Sequence, residues 1–132
     1  MAHALRAGDA GRGPGLCPRT VRITHIVRKG ADPHIDSYSG FFDNGQRQAT
    51  GLESLLKAHA VTAVYLLGLA TDYCVQFTAL DALSLGFATY IVTDGCRGVN
   101  VQPGDAERAM AAMQQQGAIL VCSGEVPSQL RI

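Results

Sequence analysis

From residue 21 onward, the chain alternates between segments with strand periodicity and segments with helix periodicity. Val21 to Val27 (VRITHIV) alternates apolar and polar residues at a period of two and is rich in β-branched residues, which predicts a strand. Val61 to Leu67 is nearly all apolar, which is typical of a strand buried on both faces. Phe87 to Thr93 and Ala118 to Cys122 are predicted as two further strands.

Three helices are predicted between these strands. The first begins at Thr50-Gly51-Leu52-Glu53, a capping-box match in which Thr50 and Glu53 exchange hydrogen bonds with the first backbone N–H groups. The second spans Cys74 to Leu85 and ends with Gly86 at the C′ position. The third begins near Pro103, and its apolar face comprises Ala106, Ala109, Met110 and Met113.

The alternation of strands and helices favours parallel pairing with right-handed crossovers. We therefore predict an α/β fold, a three-layer α/β/α arrangement with a mainly parallel sheet. The segment from Ala31 to Gln48 is rich in Asp, Gly, Ser and Pro with interleaved aromatic residues, and is predicted to be a long ordered loop. Loops of this length are uncommon unless they are functional.

The first twenty residues show neither strand nor helix periodicity. They carry four Gly, four Ala, three Arg and two Pro. We interpret residues 1–20 as an irregular, disordered leader and residues 21–132 as the folded domain. A transit peptide is the alternative, but this segment lacks Ser and an amphipathic face.

Composition excludes several classes of protein. With 11 Lys+Arg against 11 Asp+Glu, the net charge is zero, so nucleic acid is not expected as a partner. No apolar run approaches the roughly 20 residues that cross a membrane. The four cysteines form no CxxC pair, and no signal peptide precedes them, which indicates free thiols in a reducing cytoplasm.

Polar residues that follow the predicted strands are the candidates for chemistry, because ligands of α/β sheets bind at the carboxyl ends of the strands. Three segments qualify: Lys29, the turn from Gly68 to Cys74, and the segment from Asp94 to Asn100. Cys74 falls at a helix start, where unpaired N–H groups and the helix dipole stabilise a thiolate and an oxyanion. A cation at Lys29 would further favour the thiolate.

Each candidate also has a purely structural interpretation. Cys74 could be an inert buried residue and Lys29 a solvated strand end. Asp72 could be an N-cap or first-turn acid, and Asp94 and Arg97 could be loop hydrogen-bonding residues. His34 could bind a metal together with Asp32 and Asp36, although three acceptors in a polar loop are more often simply solvated.

Several long segments together resemble one family. KGADPHIDSYSGFFDNG, GLATDYCVQFTALDALSLGF and IVTDGCRGVN occur in this order and resemble bacterial nicotinamidases of the isochorismatase-like cysteine hydrolase superfamily. The resemblance extends from about Val21 to Cys122. It implies a cysteine-dependent amidase that converts nicotinamide to nicotinate and ammonia in NAD salvage.

The resemblance also implies roles for individual residues. Cys74 corresponds to the nucleophile, which forms a thioester, and Lys29 to the catalytic lysine that holds the thiolate. The Leu69–Ala70 bond corresponds to a cis peptide of the family. This bond orients the Ala70 N–H toward the site, where it forms the oxyanion hole together with the Cys74 N–H. Tyr38 corresponds to an aromatic residue of the pyridine pocket, and Tyr73 is a second, weaker pocket candidate.

The sequence departs from the family at its N-terminus. A D-x-Q-x-D-F-like motif with the general base and a D-x-H…H metal site are both absent, although the family is expected to carry divalent zinc, iron or manganese. We therefore expect a fold truncated at its N-terminus and a nearly inactive monomer. Exposed apolar surface and an open sheet edge predict poor solubility or association, including a homo-oligomer. The alternatives are a non-catalytic interaction module of the same fold and an isochorismatase-like hydrolase of another small substrate.

Overall fold

The computed structural model describes residues 2–6 and 23–127. The strands in these ranges are β1 (Ala2–Arg6), β2 (Ile23–Arg28), β3 (Ala63–Leu69), β4 (Ala88–Arg97) and β5 (Ile119–Val121). The α-helices are α1 (Leu52–Ala58), α2 (Gln76–Ser84) and α3 (Asp105–Gln115), with a π-helical turn at Thr71–Val75 and a 3₁₀ turn at Ser123–Glu125. None of the helices within residues 2–6 and 23–127 has the length and apolar content that crossing a lipid bilayer requires.

The main sheet has the order β3-β4-β5, and both of its strand pairs are parallel. The π-helical turn and α2 connect β3 to β4, and α3 connects β4 to β5, so each crossover contains a helix. Parallel strands need crossovers of this kind because the chain must return to the end of the sheet where the previous strand began, and a short hairpin cannot span that distance. The predicted α/β class with a parallel sheet is confirmed.

The first predicted strand does not join the main sheet in the described residues. β2 pairs instead with β1, in an antiparallel two-stranded sheet. Strict apolar–polar alternation suits an antiparallel strand with one solvated face, whereas the apolar runs of β3 and β4 suit a parallel sheet. Because β1 lies within residues 1–20, the predicted irregular leader is wrong for Ala2–Arg6. The remainder of that leader and the predicted domain boundary lie outside the described residues.

The apolar core lies between one face of the main sheet and the helices. Phe41, in the long loop before α1, is only 2% exposed and its ring stacks on Phe87 with 6.0 Å between centroids. The loop is therefore anchored to the core rather than lying on its surface. The other members of this cluster include Leu52, Leu56, Val64, Leu66, Ala79, Ala82, Ile91, Ala109 and Met113.

Burial of β3 differs between its two faces. Val64 and Leu66 are buried, whereas Ala63 is exposed and Tyr65 is partly exposed. The ring of Tyr65 stacks on Tyr90 of β4 with 4.5 Å between centroids. The expectation that this strand is buried on both faces is therefore not met within the described residues, and an aromatic pair lies on the less buried face.

The start of α1 also differs from the prediction. Gly51 is the N-cap residue, with φ of 92°, and no side-chain capping bond is present. The Thr50 hydroxyl donates to the carbonyl oxygen of Gly40 (2.6 Å) and accepts from the N–H of Leu52. Glu53 pairs with Lys57 instead of closing a capping box. The Thr50 hydroxyl therefore makes a tertiary hydrogen bond to the loop, in place of the capping-box hydrogen bond predicted within α1.

The end of β4 is the last departure from the predicted elements. Leu66 pairs with Ile91, but Gly68 pairs with Cys96, so β4 bulges between these two pairs. The predicted strand ended at Thr93, whereas β4 continues to Arg97. The bulge extends β4 alongside the last residues of β3, where the chain turns into the π-helical segment.

Candidate active site

Lys29 directly follows β2 and is nearly buried, with 7% exposed. Its ammonium donates to the carbonyl oxygens of Ser37 (2.7 Å) and Tyr38 (2.9 Å) and to Sγ of Cys74 (3.3 Å). A buried ammonium requires such partners, because an unpaired one would be strongly destabilising. The structure thus brings the two predicted residues Lys29 and Cys74 together, with a cation in contact with the sulfur.

Cys74 lies within the π-helical turn that follows β3. The prediction had Cys74 opening the helix, but the helical segment already begins at Thr71 and continues into α2. Cys74 is half-buried as a residue. A π-helical turn inside a helix is rare and is frequently found at functional sites.

The bond between Leu69 and Ala70 is a cis peptide, as the family resemblance implied. Ala70 is the N-cap residue of the π-helical turn, and its carbonyl oxygen accepts from the N–H groups of Tyr73 (3.1 Å) and Val75 (3.0 Å). The two residues predicted for the oxyanion hole therefore lie in the same π-helical turn, Ala70 at its N-cap and Cys74 next to its last residue. Their role in binding an oxyanion stays a prediction.

Three aromatic rings lie next to one another close to Cys74. The Tyr38 ring is edge-on to Tyr73 at 5.5 Å between centroids and tilted against Phe77 at 5.4 Å. The sequence nominated Tyr38 and Tyr73, and the structure brings both together. The sequence analysis did not identify Phe77, whose side chain belongs to the same group of rings and which is 43% exposed. The spacing of Tyr73 and Phe77, four residues apart in a helical segment, is a signal that could have indicated a shared face.

The cysteines of the described residues differ in environment. Cys96 of β4 is buried, and burial raises the pKa of its thiol, which keeps it protonated and unreactive. Cys122 is exposed, and the charged group in contact with it is the Glu125 carboxylate, which accepts from the backbone N–H of Cys122 (2.9 Å) and would not favour a thiolate. Of the three cysteines that the structure describes, Cys74 alone combines partial exposure with an ammonium in contact. Cys17 lies outside the described residues.

Asp72, next in the same turn, holds a loop rather than capping the helix. Its carboxylate accepts hydrogen bonds from the N–H groups of Val99 (2.9 Å) and Asn100 (2.8 Å). Burial raises the pKa of Asp72, but these hydrogen bonds outweigh it, and the pKa lies below its ordinary value. Asp72 therefore fastens the loop after β4 to the turn that carries Cys74.

Asp94 and Arg97 also have structural partners. The Ser123 hydroxyl and backbone N–H both donate to Asp94, and the hydroxyl bond is the larger cause of the lowered pKa of this carboxyl. The Arg97 guanidinium donates to the carbonyl oxygen of Cys96 (2.7 Å). Both residues are hydrogen-bonding groups, as the structural interpretation held, but they lie within β4 rather than in a loop.

A metal site is not assembled in the part of the chain that is described. Within residues 2–6 and 23–127, no group of three or more His, Cys, Asp or Glu side chains could hold a metal ion. His34 lies 3.5 Å from Asp32 but is 86% exposed, and Asp36 completes no ligand set with them. The described residues therefore do not fit the divalent metal that the family resemblance implied.

Comparison with known proteins gives a consistent picture. The isochorismatase domain model matches residues 26–125. The nicotinamidase of Escherichia coli (strain K12) is 52% identical over 98 residues, which cover 74% of this chain and 46% of that protein. A solved nicotinamidase of Acinetobacter baumanii has a TM-score of 0.74 at 41% identity and covers 88% of this chain and 55% of that one. A pyrazinamidase of Pyrococcus horikoshii, solved in complex with zinc, has a TM-score of 0.59 at 37% identity, covering 69% and 46%. The chain spans about half the length of these relatives.

Proposed function

The chain belongs to the isochorismatase family, and on that premise we propose that it contributes the nucleophile of a nicotinamidase-type amidohydrolase. The reaction converts nicotinamide to nicotinate and ammonia, a step of NAD salvage. The contact of 3.3 Å between the Lys29 ammonium and the Cys74 sulfur carries this proposal. The likeness to the nicotinamidase of Escherichia coli supports the choice of nicotinamide as substrate.

Cys74 is the proposed nucleophile. Its sulfur attacks the carboxamide carbon, the C–N bond breaks, and the thiol proton leaves with the nitrogen as ammonia. Water then opens the nicotinoyl thioester, which yields nicotinate and restores the thiol. Lys29 favours the thiolate because an ammonium in contact with sulfur stabilises the negative charge.

The groups around Cys74 supply the remaining binding functions. The backbone N–H groups of Ala70 and Cys74 donate to the oxyanion of the tetrahedral intermediate. The rings of Tyr38 and Tyr73 flank the pyridine ring, and the contact between them supports a shared aromatic wall.

We further propose that turnover by this chain alone is low. The two motifs that hold the family's general base and metal are not found in the sequence. General-base assistance is typically worth about 10²–10⁴ in rate. The zinc of the Pyrococcus horikoshii relative has no matching ligands in the described residues, so the proposed steps use only side chains and backbone of this chain.

Nicotinate formation from nicotinamide tests the proposal. The wild-type protein is compared with Cys74→Ala and with Cys122→Ala, which removes an exposed thiol away from the lysine contact. We expect slow nicotinate release by the wild type and by Cys122→Ala, and only the uncatalysed rate with Cys74→Ala. Mass spectrometry of acid-quenched samples should detect a nicotinoyl group on Cys74 even when turnover is slow.

Equal rates in all three proteins, together with no adduct on Cys74, would contradict the proposal. That result would favour a non-catalytic interaction module that keeps the fold. An adduct formed by other small amides but not by nicotinamide would instead indicate a sibling substrate. Both outcomes are distinguishable in the same mass spectra.

The cellular setting completes the proposal. We place the protein in the cytoplasm, which the free thiols of Cys74, Cys96 and Cys122 support, because a reducing compartment preserves them. Nicotinamide is the proposed partner molecule. Assembly into a homo-oligomer stays a prediction, to be tested by sedimentation of the purified protein.

A further inference from the structure

Thr78, on the first turn of α2, has two hydrogen bonds that connect distant parts of the chain. Its hydroxyl donates to the carbonyl oxygen of Cys74 (2.6 Å), four residues earlier. The hydroxyl oxygen of Thr78 also accepts from the backbone N–H of Gly40 (2.8 Å), 38 residues away in the long loop. The first bond is a common feature of threonine in helices. The second is tertiary and connects the loop to the residue that bears the sulfur.

The backbone N–H of Gly40 lies in a buried part of the loop, and its hydrogen-bond acceptor there is the Thr78 hydroxyl. Gly40 is buried, and its neighbours Ser39 and Phe41 are 4% and 2% exposed. The carbonyl oxygen of Gly40 is held on the other side by the Thr50 hydroxyl. Removing the Thr78 hydroxyl would leave a buried donor without its acceptor, which is the more costly way to lose a hydrogen bond.

Two connections therefore reach Cys74 from the same stretch of loop. Lys29 binds the carbonyl oxygens of Ser37 and Tyr38 and contacts the Cys74 sulfur. Thr78 binds the N–H of Gly40 and the carbonyl oxygen of Cys74. Tyr38 is thus held through its own carbonyl oxygen and, two residues later, through Gly40, and it carries the ring that contacts Tyr73 and Phe77.

We infer that Thr78 is a positioning residue, which sets where the Tyr38 ring stands relative to the Cys74 sulfur. This inference rests on the proposed function in one respect, namely that the Tyr38 ring binds the pyridine ring of the substrate. It assigns to Thr78 the alignment of the aromatic wall, whereas Lys29 contacts the sulfur itself. The two effects can be separated by experiment.

Nicotinaldehyde is the probe, because it has the pyridine ring of the substrate and an aldehyde that traps a thiolate. The sulfur adds to the aldehyde carbon, the C=O double bond becomes a C–O single bond, and the oxygen takes up the thiol proton. The adduct is a reversible thiohemiacetal, so its dissociation constant reports pocket alignment without needing a general base or a metal. Iodoacetamide, which lacks an aromatic ring, reports the reactivity of the sulfur alone, read at Cys74 by peptide mapping.

Thr78→Val removes the hydroxyl at nearly constant volume, and Thr78→Ser retains it. Thr93→Val is the matched control, since it removes a threonine hydroxyl that donates to the carbonyl oxygen of Val121 elsewhere in the fold. We expect Thr78→Val to raise the nicotinaldehyde dissociation constant about tenfold. Its alkylation rate should change less than twofold, and Thr78→Ser and Thr93→Val should behave like the wild type.

An unchanged dissociation constant in Thr78→Val would overturn the inference, and so would a Thr78→Ser variant as weak as Thr78→Val. A parallel loss of alkylation and of nicotinaldehyde binding would also overturn it, because that pattern indicates general disruption of the fold. If the wild type is alkylated at Cys74 but does not bind nicotinaldehyde, the proposed function fails. Amide hydrogen exchange at Gly40 then decides the position of the loop: faster exchange in Thr78→Val supports the connection, and equal exchange overturns it.

Discussion

Two groups of polar residues near the strand ends differ in what their charges face. In the first, which we name the lysine–cysteine site, the Lys29 ammonium faces a sulfur and two backbone carbonyl oxygens. In the second, which we name the carboxylate ties, Asp72 and Asp94 face backbone N–H groups and a serine hydroxyl. The sequence pointed to both groups by the same rule, the position after a strand.

The two groups differ in whether their charged side chains bind backbone groups of a loop or contact a potential nucleophile. The carboxylate oxygens of Asp72 accept one backbone N–H each, so this charge fixes the loop after β4. Asn100 continues the connection, since its side-chain oxygen accepts from the N–H of Ala106 in α3. Cys74, in contrast, is half-buried as a residue and its sulfur faces a cation, an arrangement that activates a nucleophile. A charge whose partners are backbone groups stabilises the fold, whereas a charge in contact with a soft nucleophile can serve chemistry.

Lys29→Met should have the largest effect, because it removes the cation from the lysine–cysteine site. Two carbonyl oxygens also lose their donor. We expect alkylation of Cys74 by iodoacetamide at neutral pH to slow about 10–100-fold, the effect of removing an adjacent opposite charge. Lys57→Met is the control, since Lys57 is the only other lysine and is exposed on α1. Similar rates in both variants would mean that Lys29 has a structural role only.

The strand-end rule and the family resemblance pointed to Lys29 and Cys74, which the structure places in contact, while their chemical roles stay a prediction. Lys29 and Cys74 are both close to strand ends, where the backbone itself brings residues distant in sequence to one edge. The C′ glycine of α2, Gly86 with φ of 92°, was also predictable because it depends on local conformation alone. Each of these residues carries a local signal in the sequence, a strand end for Lys29 and Cys74 and a helix C-terminus for Gly86, although the contact between Lys29 and Cys74 joins residues 45 apart.

Features that depend on tertiary partners could not be predicted in this way. Thr50 matched a capping box, but its hydroxyl donates a hydrogen bond to the carbonyl oxygen of Gly40 instead. The contact of Thr78 with Gly40 joins residues 38 apart, and no local pattern signals it. The bulge that extends β4 to Arg97 depends on the pairing of Cys96 with Gly68. Where several partners compete for one hydroxyl or one N–H, sequence patterns do not determine the outcome.

Phe77→Ala should have the second largest effect, and it extends the comparison to the aromatic wall beside the lysine–cysteine site. The Tyr38 ring loses one of its two aromatic neighbours, a contact worth about 0.5–1.5 kcal/mol. The dissociation constant of nicotinaldehyde should rise about two- to tenfold, while alkylation of Cys74 stays close to the wild-type rate. Val101→Ala shortens another exposed apolar side chain and should leave both readouts unchanged. Equal binding by Phe77→Ala and the wild type would exclude Phe77 from the pocket wall.

Asp72→Asn tests the other half of the comparison. The amide oxygen can keep an acceptor for one N–H, but the charge is lost, so the free energy of unfolding should fall by about 1 kcal/mol. Alkylation of Cys74 in the folded protein should change less than twofold. Glu107→Gln, at an exposed position of α3, is the control for loss of a carboxylate. A large loss of alkylation at unchanged stability would move Asp72 into the lysine–cysteine site.

The pH dependence of this variant gives a further check on the carboxylate ties. Although burial raises the pKa of Asp72, hydrogen bonds from Val99 and Asn100 hold it below the ordinary value. A lowered folded-state pKa means that the stabilisation is present above the unfolded-state pKa and is lost as pH falls through the folded-state pKa. The stability difference between wild type and Asp72→Asn should therefore be largest near pH 6 and shrink at pH 3, as measured by urea unfolding. A difference that grows on acidification would contradict this assignment.

Ser123→Ala should have the smallest effect, and it separates the two carboxylate ties from each other. The hydroxyl of Ser123 is the largest cause of the lowered pKa of Asp94, and the backbone N–H of the same residue is the second. Removing the hydroxyl should raise the pKa of Asp94 only part of the way to its ordinary value, because the N–H still donates. Carboxyl carbon titration by NMR measures this shift directly. Because Asp94 is solvent-exposed, alkylation of Cys74 should stay unchanged, and a change would mean that the end of β4 is coupled to the sulfur.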